Sequence, residues 1–273
     1  MSSKPLRFVA AAEVSLAEYA AALTSSFRGY QFAVSMDAAG LARRVRLEQY
    51  DLENSLLAYD GAEVAGIAAL AVRGFRGWVA GFAVVPEQRG RGRGRELLSA
   101  LLARARAAGL GRLSLEVLAR NTAARRLYEG AGMRVERDVF IMERAGGRTG
   151  PGTLQEAAPD ELLQHFARLH AVRPAWQRDL PSLLVGKLRG LRMGEPARPH
   201  AYALLGLPKD DGTYLSDLAA SDADAARALS EALDGVAGTL KIVNEPEHSP
   251  FVGPLLARGF VETDRQHEMH LSL

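Results

Sequence analysis

The run VVPEQRGRGRGRELL, Val84 to Leu98, constrains this chain more than any other stretch. Gly90, Gly92 and Gly94 alternate with Arg89, Arg91, Arg93 and Arg95, between a strand-like segment ending at Pro86 and a leucine-rich one. Glycine reaches positive φ readily and lets backbone N–H groups approach a ligand without an obstructing Cβ. Between a strand end and a helix N-terminus, such a loop aims free amides and the helix dipole at one spot, which suits phosphate or pyrophosphate. Two common nucleotide loops are excluded. Arg95 and Leu97 stand where a G-x-G-x-x-G run needs its third glycine, and no Gly-Lys-Ser/Thr is present.

The competing reading is a solvated arginine tract on nucleic acid. Composition speaks against it, because 34 basic residues face 32 acidic ones and the net charge is only +2. The pI of about 9.0 reflects arginine use, 30 Arg against 4 Lys, more than a charged surface. No nucleic-acid partner is expected. The absence of cysteine excludes disulfides, thiolate metal sites and cysteine nucleophiles. The six histidines form no ligand pattern, so no metal is expected. Glu13 and Glu18 interrupt any signal-like block, and no apolar run approaches the roughly 20 residues a membrane helix needs. A cytoplasmic protein with no membrane partner is the expectation.

Periodicity organises the rest. LRFVAAA reads as a strand and VSLAEYAAALTSSF as a helix; Met36 to Tyr50 gives a second helix with Leu41, Val45 and Leu47 on its apolar side. Two strands meet at Asp60-Gly61, a dipeptide favoured in two-residue hairpins, and GWVAGFAVV is a third. After the glycine comb, Leu97, Leu98, Leu101, Leu102 and Ala105 recur at helical spacing until Gly109. RLSLEVL is the next strand. Asn121 or Thr122 then caps a helix with Ala124, Leu127, Tyr128 and Ala131 on its apolar face, and MRVERDVFIMER returns as a strand. The Gly-rich stretch 146–152 is the expected linker between domains 1–145 and 153–273. The second half repeats the strand and helix order in diverged sequence and reads as a duplication. Its segment Arg173 to Pro199 carries no assigned element.

Two motifs together resemble a family. VPEQRGRGRGRELL fits the Arg/Gln-x-x-Gly-x-Gly/Ala acyl-CoA loop of the GNAT superfamily of N-acetyltransferases, with Arg89, Gly92 and Gly94 at the defining positions. About 30 residues on, LSLEVLARNTAARRLYEGAGM resembles that family's second motif, Asn-x-x-Ala-x-x-Leu-Tyr followed by Gly-Met. The resemblance implies an α/β (α+β) fold of two tandem GNAT-like domains, each a mixed, mostly antiparallel sheet flanked by helices. It covers residues 5–144 closely and the second half in element order only.

The resemblance also implies chemistry, in which an amine attacks the thioester of acetyl-CoA, the co-substrate. Backbone groups of Phe82, Val84 and Val85 would hold the pantetheine arm. The loop residues Arg89, Gly90, Arg91, Gly92, Arg93 and Gly94 would hold the pyrophosphate, with Asn121 on the pantetheine. Most of the side chains of Arg91, Arg93 and Arg95 are expected in solvent. Tyr128 stands at the family's position for the general acid to the departing thiolate, against the alternative of a plain core aromatic. The strand before the loop has no carboxylate, so Glu116 on RLSLEVL is the nearest candidate base or water holder, with a purely structural role left open. Asp51 and Glu53 are further candidates to meet a cationic substrate, and Phe27, Tyr30 and Phe32 to wall an acceptor pocket. The partner expected is a small-molecule or peptide amine, on a monomer or homodimer. The alternative is an acyl-CoA-binding sensor without turnover. In the second half, SDADAARAL replaces the glycine loop and Leu255 aligns with Tyr128, so that copy is expected to be non-catalytic.

Overall fold

The computed structural model describes residues 5–30, 34–146 and 154–273. Two compact units emerge, Met1–Glu136 with Glu268–Leu273, and Arg137–His267.

Unit one opens with β1 (Arg7–Ala10), α1 (Leu16–Ser26) and α2 (Ala38–Glu48). Ser15 caps α1 by accepting from Glu18 N–H, and Asp37 caps α2 through Gly40 N–H. The meander β2 (Leu56–Asp60), β3 (Glu63–Arg73) and β4 (Arg76–Val84) follows, its first turn made by Gly61 at φ +65°. Next come α3 (Arg93–Ala107), β5 (Arg112–Leu118), α4 (Thr122–Gly130) and β6 (Arg134–Arg144). The strand order in this unit is β1-β2-β3-β4-β5. One sheet face and α3 bury Leu97, Leu98, Leu101, Leu113, Leu115 and Tyr128 in a common core, at about 1.5–3 kcal/mol for each large apolar side chain.

Unit two contains β7 (Gln155–Ala157), the short helices α5 (Pro159–Leu163), α6 (Phe166–Leu169) and α7 (Leu180–Leu183), and the strands β8 (Leu188–Glu195), β9 (Arg198–Gly206) and β10 (Thr213–Ala220). After these run α8 (Ala223–Ala232), β11 (Leu240–Pro246), α9 (Val252–Ala257) and β12 (Val261–Ser272). From β6 the order is β6-β11-β10-β9-β8-β7. The unassigned segment therefore holds a strand, β8, which pairs with β9 from Leu188↔Gly206 to Glu195↔Arg198. Its arginines and glycines mask the period-2 alternation, and pairing with β9 overrides its weak local preference. With β8 in place, the strand sequence of unit two matches that of unit one.

The expected boundary at 146–152 is not where the units divide, and residues 147–152 lie outside the described ones. The division falls within β6, and the last five residues of β12 together with the C-terminal Leu273 belong to unit one. Met269 is fully buried in that core, Leu271 packs against it, and Leu273 N–H donates to Gly111 O at 3.1 Å. Ladder partners and core contacts define a unit, whereas a Gly-rich composition marks only where the chain can turn.

Candidate active site

β4 and β5 run parallel but pair only through Arg76–Trp78 and Arg112–Ser114. On its other side β4 stays paired with β3 as far as Gly66↔Val84, with a bulge where Ala69 meets Gly81 and Leu70 meets Val79. A bulge bends its strand and increases the local twist, so β4 leaves β5 and a wedge opens between them. Val85 N–H donates to Ala65 O at 3.0 Å. That bond sets the alternation, with Ala83 and Val85 turning their backbone groups to β3 while Phe82 and Val84 turn theirs to the wedge. Val85 thus drops out of the expected backbone site, because the sheet uses its N–H.

At the end of β4, a single turn at Pro86–Gln88 leads into the glycine comb. Gly90 and Gly92 sit at φ +75° and +80°, conformations that cost other L-residues about 1–2 kcal/mol each. Gly92 is the N-cap of α3 and offers no side chain to the helix end. Among the described hydrogen bonds, none is donated by the backbone of Gly90, Arg91, Gly92 or Gly94. These open amides and the α3 dipole form an anion cradle.

The arginine side chains do something else. Arg89 folds back, donating to Val84 O at 2.9 Å, Ser26 O at 3.2 Å and Arg28 O at 2.8 Å, which ties the loop to the end of α1. Arg93 corrects the expectation of solvation: it is 3% exposed and paired with Asp60 at 3.1 Å and Glu96 at 3.0 Å. The spacing of charges cannot show this, because Asp60 comes from the β2–β3 turn. Arg91 and Arg95 are exposed.

Beyond the cradle, Asn121 caps α4, its Oδ1 accepting from Ala124 N–H at 3.2 Å and its Nδ2 lying 3.5 Å from the Tyr30 hydroxyl. Tyr128 follows two turns later, 6% exposed, with its ring edge-on to Phe82 at 5.9 Å between centroids. No described group hydrogen-bonds its hydroxyl. Burial, reinforced by Tyr30, pushes the phenol well above its usual pKa and keeps it protonated. Glu116 lies just past the last β4–β5 pair and accepts from Trp78 Nε1 at 2.7 Å. Leu113 and Leu115 face the α3 core, so Ser114 and Glu116 face the opposite side of the sheet. Since Met269 and Leu271 also face the core, Glu268 and His270 share the Glu116 side. Neither was legible in the sequence as part of this unit, because they lie 124 and 126 residues beyond Arg144, the end of its last expected strand.

Phe27 and Tyr30 meet edge to face at 5.2 Å at the end of α1, while Phe32 lies outside the described residues. The Asp51 carboxylate is engaged by Asn54 at 3.0 and 2.7 Å, which marks it as a turn residue. Glu53 contributes its carbonyl to Arg104. Among the described residues no group of three or more potential metal ligands occurs, and no helix is long and apolar enough to cross a membrane.

The acetyltransferase (GNAT) family matches residues 20–133, which span the wedge, the cradle, Asn121 and Tyr128. This first unit belongs to the GNAT family. Solved structures extend the likeness to the whole chain. A GCN5-related N-acetyltransferase from Sphaerobacter thermophilus is 14% identical with a TM-score of 0.70, covering 98% of this chain and 95% of its own. A tandem GNAT protein from the clavulanic acid biosynthesis pathway is 14% identical with a TM-score of 0.69, covering 98% of each chain. At that identity the likeness shows the fold alone. Comparison with curated proteins gives no match. The first unit is a GNAT-type N-acetyltransferase domain, and the whole chain shares the tandem fold of these structures.

The second GNAT-like unit keeps the wedge and loses the cradle. β10 and β11 pair only through Thr213–Tyr214 and Leu240–Lys241, and β10 carries its own bulge between Leu215 and Asp217. Only Ser221 and Asp222 separate β10 from α8, and Asp222 caps α8 with its own carboxylate, accepting Ala225 N–H at 2.8 Å. Past the paired stretch, Arg178 bridges the strands, bonding Glu245 of β11 and lying 3.5 Å from Asp217 of β10. Tyr202 and His170 complete the Asp217 shell at 2.9 and 3.2 Å. Met133 N–H donates to Tyr128 O, and Phe260 N–H donates to Leu255 O in the same way. Leu255 therefore stands in unit two where Tyr128 stands in unit one, and it is fully buried.

Proposed function

We propose that unit one transfers an acetyl group from acetyl-CoA to an amine, and that the wedge-and-cradle geometry around Gly90–Gly94 carries this reading. Phe82 and Val84 turn backbone groups to the wedge, where a pantetheine arm would form strand-like hydrogen bonds. The Val84 carbonyl already accepts from Arg89, which leaves its N–H and both Phe82 groups for the ligand. The loop amides and α3 would take the pyrophosphate. The amine nitrogen attacks the thioester carbon, an N–C bond forms and the C–S bond breaks. The amine gives up a proton toward Glu116 or a water held there. Tyr128, kept protonated by burial, gives its proton to the departing thiolate.

Unit two is read as non-catalytic. Its helix N-terminus is filled by a carboxylate, its wedge is bridged by Arg178, and the tyrosine position is leucine. The deciding experiment measures CoA thiol release from acetyl-CoA with a panel of small amines, polyamines and peptides. Release above the blank supports the reading. Tight CoA binding without release by any amine would favour an acyl-CoA sensor instead, a reading helped by the lack of a carboxylate on β4.

A further inference from the structure

Gln88 and Arg93 flank the stretch Arg89–Gly92, and both reach the same oxygen. Gln88 Nε2 donates to Asp60 Oδ2 at 3.0 Å and Arg93 NH2 donates to it at 3.1 Å. Asp60 closes β2, so the clamp ties both ends of the glycine loop to a rigid hairpin. The second arm of Arg93 binds Glu96 at 3.0 Å, and Glu96 accepts Leu6 N–H at 2.6 Å beside β1. A loop with two left-handed glycines is free to take many shapes, and ordering it on binding subtracts from affinity. A guanidinium 3% exposed in the middle of the comb is held by charge pairing with these carboxylates.

We propose that Asp60 is a positioning residue for the donor, fixing the loop amides in the shape that binds the pyrophosphate. It touches neither substrate. The inference rests on the reading of Gly90–Gly94 as a pyrophosphate cradle, and it predicts a dependence that general structural damage does not share. S-acetylpantetheine carries the thioester but no pyrophosphate, so its turnover is independent of loop shape.

The test compares wild type and Asp60→Asn in the full chain, with KM and kcat for acetyl-CoA and kcat/KM for S-acetylpantetheine. The expected result is a rise in acetyl-CoA KM of about tenfold, with kcat within about twofold and S-acetylpantetheine unchanged. Asp60→Glu should restore part of the loss. The double variant Asp60→Asn/Arg93→Met, which leaves no buried charge unpaired, should keep a wild-type melting midpoint and show the same raised KM. An unchanged acetyl-CoA KM in a folded variant overturns the proposal, as does an equal loss with both donors. Wild-type protein that binds no CoA overturns the cradle reading along with it, whereas CoA binding equal in wild type and both variants overturns the proposal alone.

Discussion

Trp78 Nε1 donates to the Glu116 carboxylate at 2.7 Å, across the point where β4 and β5 stop pairing. That bond fixes a carboxylate at the mouth of the wedge, although the strand leading into the loop has none. Glu116→Gln keeps an acceptor for Trp78 and removes the proposed base. It should lower kcat/KM for the amine by about tenfold or more, with acetyl-CoA binding unchanged by calorimetry. Full activity in this variant would remove Glu116 from the chemistry.

Tyr128→Phe keeps the ring contact with Phe82 and removes only the proton. Turnover should fall by about 10²-fold while KM for acetyl-CoA stays near wild type. Steady-state kinetics and a melting curve separate this outcome from a packing defect, which would lower the melting midpoint as well.

Gly92→Ala places a Cβ at φ +80° with nothing within 4 Å of it. Space is not the obstacle; backbone strain of about 1–2 kcal/mol is. The loop should relax away from its cradle shape, raising KM for acetyl-CoA with little effect on kcat.

His170 in unit two gives a pH signature. Burial lowers its pKa, but the bond to Asp217 and that charge outweigh burial, so the folded value is raised. A raised folded pKa adds stability that is complete below the unfolded value of about 6.5 and is lost as pH rises through the folded one. Melting midpoints taken across that range should decline toward alkaline pH, and His170→Gln should flatten this part of the profile. Asp217→Ala should cost about 3–5 kcal/mol, because it leaves Arg178 and Tyr202 facing an empty place.

Met269 belongs to the core of unit one although it lies four residues from the last. Met269→Ala should destabilise unit one by about 2–5 kcal/mol. Its effect should show in the transition that acetyl-CoA raises in a thermal scan, and a shift confined to the other transition would contradict the assignment.

The sequence by itself determined the elements whose signals are local. The glycine comb between strand and helix, a cap at Asn121 or Thr122, the leucine spacing of α3 and the Gly61 turn all rest on residues within one or two turns of each other. Tertiary structure decided what depends on partners distant along the chain. Arg93 looks solvated until Asp60 and Glu96 are beside it, and β8 looks irregular until it pairs with β9. The end of β12 reads as part of the second half until Met269 is found in the first core. Glu116 gains its place only because a bulge in β4 opens the wedge beside it. Backbone propensity and periodicity act over a few residues, whereas charge pairing, ladder register and core packing act across whatever the fold brings into contact.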